Sequence, residues 1–272
     1  MTNIHKLAVI SDGAQIGEGT EIGPFTFIGP NVKIGKNNKI SSNVCIDGKT
    51  TIGDGNQIFQ FASIGAVPQD LKFQGEDSEL IIGNNNKIRE CVTMHKGTKT
   101  GIMKTVVGNN NLFMACSHVA HDVVIGNNNV FANCATIAGH VVMANNIIMG
   151  GLSAIHQFTR IGERAFIGGG AMVSRDIAPC CYAQGDRAGL VGINQVGLLR
   201  GGFSKEHILK IRKLYRKVFL GEGHFKDRVA SLISDPEYDF ELGRTFLSFL
   251  SEDSIRGFTL SRKDANGDEE QS

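Results

Sequence analysis

The stretch Gln15-Ile16-Gly17-Glu18-Gly19-Thr20-Glu21-Ile22-Gly23-Pro24-Phe25-Thr26-Phe27-Ile28 returns an isoleucine every six residues. The step extends back to Ile4 and Ile10 and forward through Ile34, Ile40, Ile46, Ile52, Ile58 and Ile64 without a miss. It resumes at Ile82, Ile88 and Met94, and again from Val107 through Phe113, Val119, Ile125, Phe131, Ile137, Met143, Met149, Ile155, Ile161 and Ile167 to Val173. An amphipathic helix needs apolar spacings of three and four, and a hairpin sheet alternates and then turns, so neither sustains a period of six. A parallel β-helix does. One hexad makes one flat side of a triangular coil, three hexads close a turn, and the periodic side chain points inward.

Corners of such a coil turn sharply and often need positive φ, which suits Gly and Asn. The 34 glycines are spread along the chain, and the runs Asn84-Asn85-Asn86, Asn109-Asn110-Asn111 and Asn127-Asn128-Asn129 fall at one phase of their hexads. The pattern resembles the left-handed parallel β-helix family, and the handedness is what that resemblance implies. Two segments break the rule, 65–81 and 95–106, and are expected to leave the prism as loops, the second shifting the register by one residue. The coil is expected over 1–178, a connector over 179–203, an α-helical domain over 204–260 and a disordered tail over 261–272. In the helical part Ser204 is a candidate N-cap, Ile208, Ile211, Leu214, Tyr215, Val218 and Phe219 form one apolar stripe, and Gly221 is expected to end the helix. A β-helix with exposed aliphatic faces buries them against copies of itself, so a closed homotrimer is expected.

A formal net charge of +1 argues against a nucleic-acid coat. The six cysteines show no CxxC spacing and read as reduced small hydrophobes in a cytosolic protein. No signal peptide and no apolar run of membrane-spanning length is present, so a soluble intracellular chain is expected.

Chemistry concentrates in Ser117-His118-Val119-Ala120-His121-Asp122. Counting one coil as eighteen residues sets Gly139 and then Gln157 above His121, and His140 and then Phe158 above Asp122. His156 follows Ala120 and Ala138. One edge therefore gathers His118, His121, Asp122, His140, His156 and Gln157, with adjacent rungs ~4.8 Å apart. Any single histidine could merely hydrogen-bond along a ladder. As a group they suit either a general base beside a carboxylate or a zinc site.

At these residues the chain resembles the UDP-N-acetylglucosamine 3-O-acyltransferase family of lipid A biosynthesis. The motifs are Gln60-Phe61-Ala62-Ser63-Ile64-Gly65, Gln69-Asp70-Leu71-Lys72, His118-Val119-Ala120-His121-Asp122, Ala138-Gly139-His140-Val141, Ala154-Ile155-His156-Gln157-Phe158 and Arg200-Gly201-Gly202-Phe203-Ser204. The resemblance implies transfer of an (R)-3-hydroxyacyl chain from acyl carrier protein to the sugar 3-hydroxyl in the cytoplasm of a Gram-negative bacterium, with no cofactor and no metal. It implies His121 as general base, Asp122 as its supporting carboxylate and the Gly139 N–H as oxyanion donor. Asp70, Lys72, His118, His140, His156 and Gln157 would line the acceptor and pantetheine region, Asn194 and Arg200 would hold the nucleotide, and Gly169 would limit acyl length. Gly169 follows His121 by two coils and two further sides, so a chain reaching both runs along an interface between subunits. A concentration of Lys and Arg from Arg200 to Arg228 suits an acidic carrier protein.

The chain departs from the pattern at Val196, where the family commonly carries an acidic residue, and at Gly201, where it carries a second arginine. These departures leave a 3-amino sugar acceptor open. A metal-dependent hydratase of the γ-carbonic anhydrase type needs two histidines five positions apart, whereas the pairs here fall at three, nineteen and sixteen. A non-catalytic assembly scaffold and relatives using acetyl- or succinyl-CoA complete the alternatives.

Overall fold

The computed structural model describes residues 2–261. Three sheets of eleven, nine and eight strands form the walls of a left-handed triangular prism. The first wall begins at Asn3–Ile4, the second at Val9–Ile10 and the third at Gln15–Ile16. Rungs pair in parallel eighteen residues apart, as in Ile4↔Ile22, Ile10↔Ile28 and Ile16↔Ile34. Most strands contain only two residues, because each side must leave room for a corner. The periodic side chain lies inside: Ile28, Ile46, Ile64, Met94, Phe113 and Phe131 are all 1% exposed or less. Burying each such side chain stabilises the coil by about 1.5–3 kcal/mol.

The asparagine runs build the edge between the third and first walls. Their middle residues, Asn85, Asn110 and Asn128, have φ of 56°, 57° and 58°, the left-handed region in which Asn is tolerated best after Gly. Their third residues face inward as a ladder. The Asn86 carboxamide oxygen accepts from the Asn111 backbone N–H at 2.9 Å and from its side chain at 3.1 Å. The Asn86 amide donates to the Gly108 carbonyl at 2.9 Å. These buried corner groups are thus satisfied internally, as burial requires.

Both interruptions leave the prism, within narrower limits than the sequence suggests. Ser63–Ala66 and Glu79–Ile82 are strands, so the first loop is 67–78; Thr93–His95 and Lys104–Val107 are strands, so the second is 96–103. Wall pairing extends into the insertions because strand hydrogen bonding, not the hexad, sets where the chain departs.

The expected connector is part of the structure rather than a tether. Cys181–Gln184 adds a rung to the first wall beside Phe166–Ile167, and Gly189–Ile193 pairs back on it antiparallel. Helix α1 (Gln195–Arg200) follows, then α2 (Lys205–Phe219), α3 (Phe225–Ile233) and α4 (Glu241–Ser251). Ser204 caps α2 by accepting from the His207 N–H, and the six apolar stripe residues are all buried. The helix ends at Phe219 with Leu220 as its cap, two residues before the glycine expected to end it. Arg160 fastens the helices to the last coil through Asp176 at 2.7 Å, Glu252 at 2.6 Å and the ring of Phe249. Ser261 is buried and bridges to Leu190, so the expected tail does not begin there. Residues 262–272 lie outside those described. No described helix is long and apolar enough to cross a membrane.

Candidate active site

The edge between the second and third walls carries the histidines. His121 and Asp122 occupy one corner, at 5% and 3% exposure. Asp122 has φ of 58° and His140, directly above it, 61°; the His140 N–H donates to the His121 carbonyl at 3.1 Å. The His140 ring stacks on Phe158 with centroids 4.4 Å apart and meets His121 edge-on at 5.0 Å. Counting by eighteen therefore locates these neighbours correctly.

His121 Nδ1 lies 2.9 Å from an Asp122 carboxylate oxygen. That carboxylate is held by the second insertion. The Thr98 N–H donates to both oxygens at 3.1 Å, the Thr98 hydroxyl to one at 2.6 Å, and the Ile102 N–H to the other at 3.0 Å. The Asp122 N–H itself donates to the Thr105 hydroxyl oxygen at 2.9 Å. Burial pushes the Asp122 carboxyl up, but hydrogen bonds from His121 and Thr98 outweigh it and hold the group below the usual carboxylate range. An ionised carboxylate only accepts, so the Nδ1 facing it carries the proton and His121 Nε2 is left as the basic nitrogen.

Gly139 fits against this imidazole because it has no side chain: a Cβ there would lie 2.5 Å from His121 Cε1. Among the described residues its N–H has no acceptor. His118 sits one wall position earlier, its Nδ1 2.7 Å from the Thr93 hydroxyl. Burial first, then His121, lowers its pKa. His140 is lowered by burial, against the opposing pull of Asp122. Asp70, half-buried, is close enough to act electrostatically on His140, whereas Lys72 is exposed on the same loop. His156 and Gln157 lie on the edge but are exposed.

Ligand atoms of His121, Asp122 and His140 lie within 4.8 Å of one another, a possible metal set. The chemistry of the set fits a cation poorly. Both Asp122 oxygens already receive N–H or O–H donors, whose hydrogens occupy the lone pairs a metal would need.

The C-terminal segment 176–259 matches the family described as UDP N-acetylglucosamine O-acyltransferase, domain 2, and residues 13–48 and 104–139 match the bacterial transferase hexapeptide family. An acyl-[acyl-carrier-protein]–UDP-N-acetylglucosamine O-acyltransferase from Aliarcobacter butzleri is 53% identical over 265 residues, 97% of this chain and 100% of the relative. One of the same description from Rhizobium rhizogenes is 44% identical over 94% of each chain. The chain belongs to the UDP-N-acetylglucosamine O-acyltransferase family. Two solved structures of family members agree with the fold. The enzyme from Francisella novicida superposes with a TM-score of 0.92 at 36% identity, covering 97% of this chain and 96% of that one. The enzyme from Bacteroides fragilis gives 0.90 at 42% identity, covering 93% and 98%.

Not every residue that the acyltransferase resemblance singles out reaches the histidine edge. Asn194 and Arg200 line a cavity of about 540 Å³ with Val130, Ile148 and Phe166. Those three side chains stand on the outer face of the first wall, across the prism from His121. Asn194 is 9% exposed and its side chain is fully engaged: it caps α1 by accepting from Gly197 and donates to the Arg164 carbonyl at 3.0 Å. Val196 and Gly201 line the same cavity. Gly169 lies on the third edge, between the first and second walls, exposed, with Gly151 as its neighbour.

Two features escape a reading of the sequence. Thr98 and Ile102 cradle Asp122 from a loop that follows no repeat. His95, 5% exposed, packs edge-on to His118 at 4.9 Å, and burial, then His118 and His121, pushes its pKa down to about 4. The basic concentration in the helices is also less free than composition implies. Lys210 pairs with Glu206, Lys213 with Glu237, and Lys217 with Asp235 and Glu237, while Arg228 donates to backbone carbonyls. Arg216, Lys205 and Lys226 remain exposed.

Proposed function

We propose that this chain transfers an (R)-3-hydroxyacyl group from acyl carrier protein to the 3-hydroxyl of UDP-N-acetylglucosamine, in the cytoplasm. The observation that carries the reading is the buried pair His121–Asp122, with Nδ1 tied to an ionised carboxylate and Nε2 free. His121 Nε2 takes the sugar hydroxyl proton as the oxygen attacks the thioester carbonyl. The Gly139 N–H, beside the imidazole and without an acceptor among the described residues, donates to the oxyanion. Collapse of the tetrahedral intermediate expels the carrier thiolate, and His121 returns its proton to that sulfur. A positioned base of this kind contributes about 10²- to 10⁴-fold. His118, His140, His156, Gln157, Asp70 and Lys72 orient the acceptor and the pantetheine arm. No step needs a metal or cofactor.

The separation of the residues around the prism supports a closed trimer. One chain holds His121 on one edge and Asn194 with Arg200 on the opposite wall, so one substrate meets both sets only where two copies abut. Apposing the second wall of one copy to the first wall of the next achieves this around a three-fold axis. The acyl chain then crosses the second wall from His121 toward Gly169, over the short side chains of Thr136 and Ala154. Arg200 serves the diphosphate, and the Asn194 side chain shapes α1 while its segment lines the nucleotide cavity. Exposed Arg216, Lys205 and Lys226 offer acidic carrier protein a basic approach.

The test is acyl transfer to UDP-N-acetylglucosamine with a panel of 3-hydroxyacyl carrier proteins, comparing the wild type with His121→Ala. Loss of 10²-fold or more is expected. Undiminished transfer by the variant would overturn the base assignment and favour a scaffold. Val196 and Gly201 in the nucleotide cavity favour one second reading, N-acylation of a 3-amino UDP-sugar, which the same assay distinguishes by running both acceptors. A metal-dependent hydratase at His121, Asp122 and His140 is disfavoured by the donors that fill the Asp122 oxygens; loss of activity on chelation with recovery on adding zinc would support it instead.

A further inference from the structure

The three edges of the prism share one backbone geometry and differ in what they carry. On the edge between the first and second walls the positive-φ positions are filled by Phe25, Phe61, Cys91, Cys116, Cys134 and Leu152, among others, with φ between 57° and 63°. A left-handed conformation costs a non-glycine residue about 1–2 kcal/mol, and cysteine has no local side-chain bond of the kind that helps Asn there. Yet three consecutive coils place cysteine at this corner. The Cys116 N–H donates to the Glu90 carbonyl at 2.9 Å and the Cys134 N–H to the Ala115 carbonyl at 3.0 Å, so the three stand directly above one another. All three are free and exposed on the chain, and Cys116 lies near enough to Cys91 to act on it electrostatically.

We propose that Cys91, Cys116 and Cys134 form a binding column for soft, thiophilic d¹⁰ monocations of the Cu(I) and Ag(I) class, with the ion held linearly between sulfurs of adjacent coils. Rungs spaced ~4.8 Å apart match the span of two metal–thiolate bonds, ~4.6 Å when each is ~2.3 Å. The sulfurs of Cys91 and Cys134 are two rungs apart, too far to share one ion, so Cys116 belongs to both pairs. Thiolates are the ligands that select such ions. Burial first, then Cys116, raises the Cys91 pKa, so the ion displaces protons from neutral thiols. Two S–H bonds break, two sulfur–metal bonds form, two protons go to solvent, and affinity falls as pH is lowered. No redox change is involved.

The coordinating pairs lie within one chain, so the site does not depend on assembly. In the proposed trimer this edge is shared by the two apposed walls and faces the axis, where ions reach it more easily than bulky reagents.

The experiment is titration of the reduced full chain with Ag(I), followed by competition with glutathione and counting of retained silver by native mass spectrometry. Cys116→Asn is the central variant, because Asn occupies the equivalent positive-φ positions Asn110 and Asn128 and so preserves the corner. The wild type and Cys45→Ser, whose exposed cysteine lies outside the column, are expected to retain at least one Ag(I) per chain. Cys91→Ser and Cys134→Ser each keep one pair and retain silver, whereas Cys116→Asn loses it at least tenfold more readily. Retention by Cys116→Asn equal to that of the outer variants, or wild-type silver lost as easily as from Cys116→Asn, would overturn the proposal. Acyl transfer by Cys116→Asn is expected to be unchanged, so failure here leaves the transfer reading standing, and failure of transfer leaves the column standing.

Discussion

The asparagine edge and the histidine edge are the same backbone put to opposite uses. Both place residues at φ near +60° on successive coils, Asn110, Asn128 and Asn146 on one and Asp122, His140 and Phe158 on the other. On the asparagine edge each carboxamide is consumed by the next, and the polar groups end as fully paired structure. On the histidine edge pairing is left unfinished: Asp122 is saturated, His121 keeps one nitrogen free, and the Gly139 N–H has no acceptor among the described residues. A repeat becomes a reactive site when its ladder is interrupted by groups that cannot satisfy one another.

That contrast predicts where pH acts. His95 is held down to about 4 by burial and by His118 and His121, below its ordinary value of about 6.5. The unfolded chain therefore binds the extra proton between those values, and stability is full above about pH 6.5 and is lost as pH falls toward 4. The loss amounts to at most about 3 kcal/mol. Urea midpoints at pH 7 and pH 5 measure it, and His95→Gln should flatten the dependence; an equal slope in the variant would move the effect elsewhere. The asparagine runs 84–86, 109–111 and 127–129, which hold no titrating side chain, contribute nothing to this slope.

Gly139→Ala should divide activity from stability on the histidine edge. The new Cβ meets the His121 ring at 2.5 Å and forces the imidazole aside, and a displacement of about 1 Å at a reacting group costs about 10²-fold. kcat should fall by that much with little change in thermal midpoint. Asn86→Ala is the opposite case. It strands the Gly108 carbonyl and the Asn111 N–H and should cost about 2 kcal/mol by denaturant unfolding, while the pH–rate profile of the remaining folded enzyme keeps its shape. Thr98→Val is the smallest: loss of one hydroxyl from Asp122 should reduce kcat about tenfold with KM little changed, and Thr98→Ser should restore most of it. Equal damage by Val and Ser would assign Thr98 to packing alone.

The prism and the histidine edge were legible because period converts directly into adjacency: Gly139 above His121 and His140 above Asp122 follow from counting. The cradle was not. Thr98 and Ile102 belong to a loop outside the repeat, and no spacing rule brings residue 98 beneath residue 122. Asn194 was legible as a residue of interest, but the bond that fixes its amide was not, since the Arg164 carbonyl to which it donates comes from an earlier coil. The freedom of the basic helix was overstated for a similar reason: Glu237 and Asp235, which neutralise Lys213 and Lys217, arrive from beyond the next helix.

The constant step between rungs also governs how the chain acquires its shape. Where each coil contacts only the next, sequence separation does not grow with length, so order can propagate along the prism from any formed coil. The two insertions are where propagation slows. Ile58 pairs with Ile88 and Ile88 with Phe113, and closing the longer of these spans costs about half a kcal/mol more than an ordinary turn of the coil. The loop that delivers Thr98 to Asp122 is the second of these crossings, so the Asp122 carboxylate acquires its cradle only when the zipper has passed it.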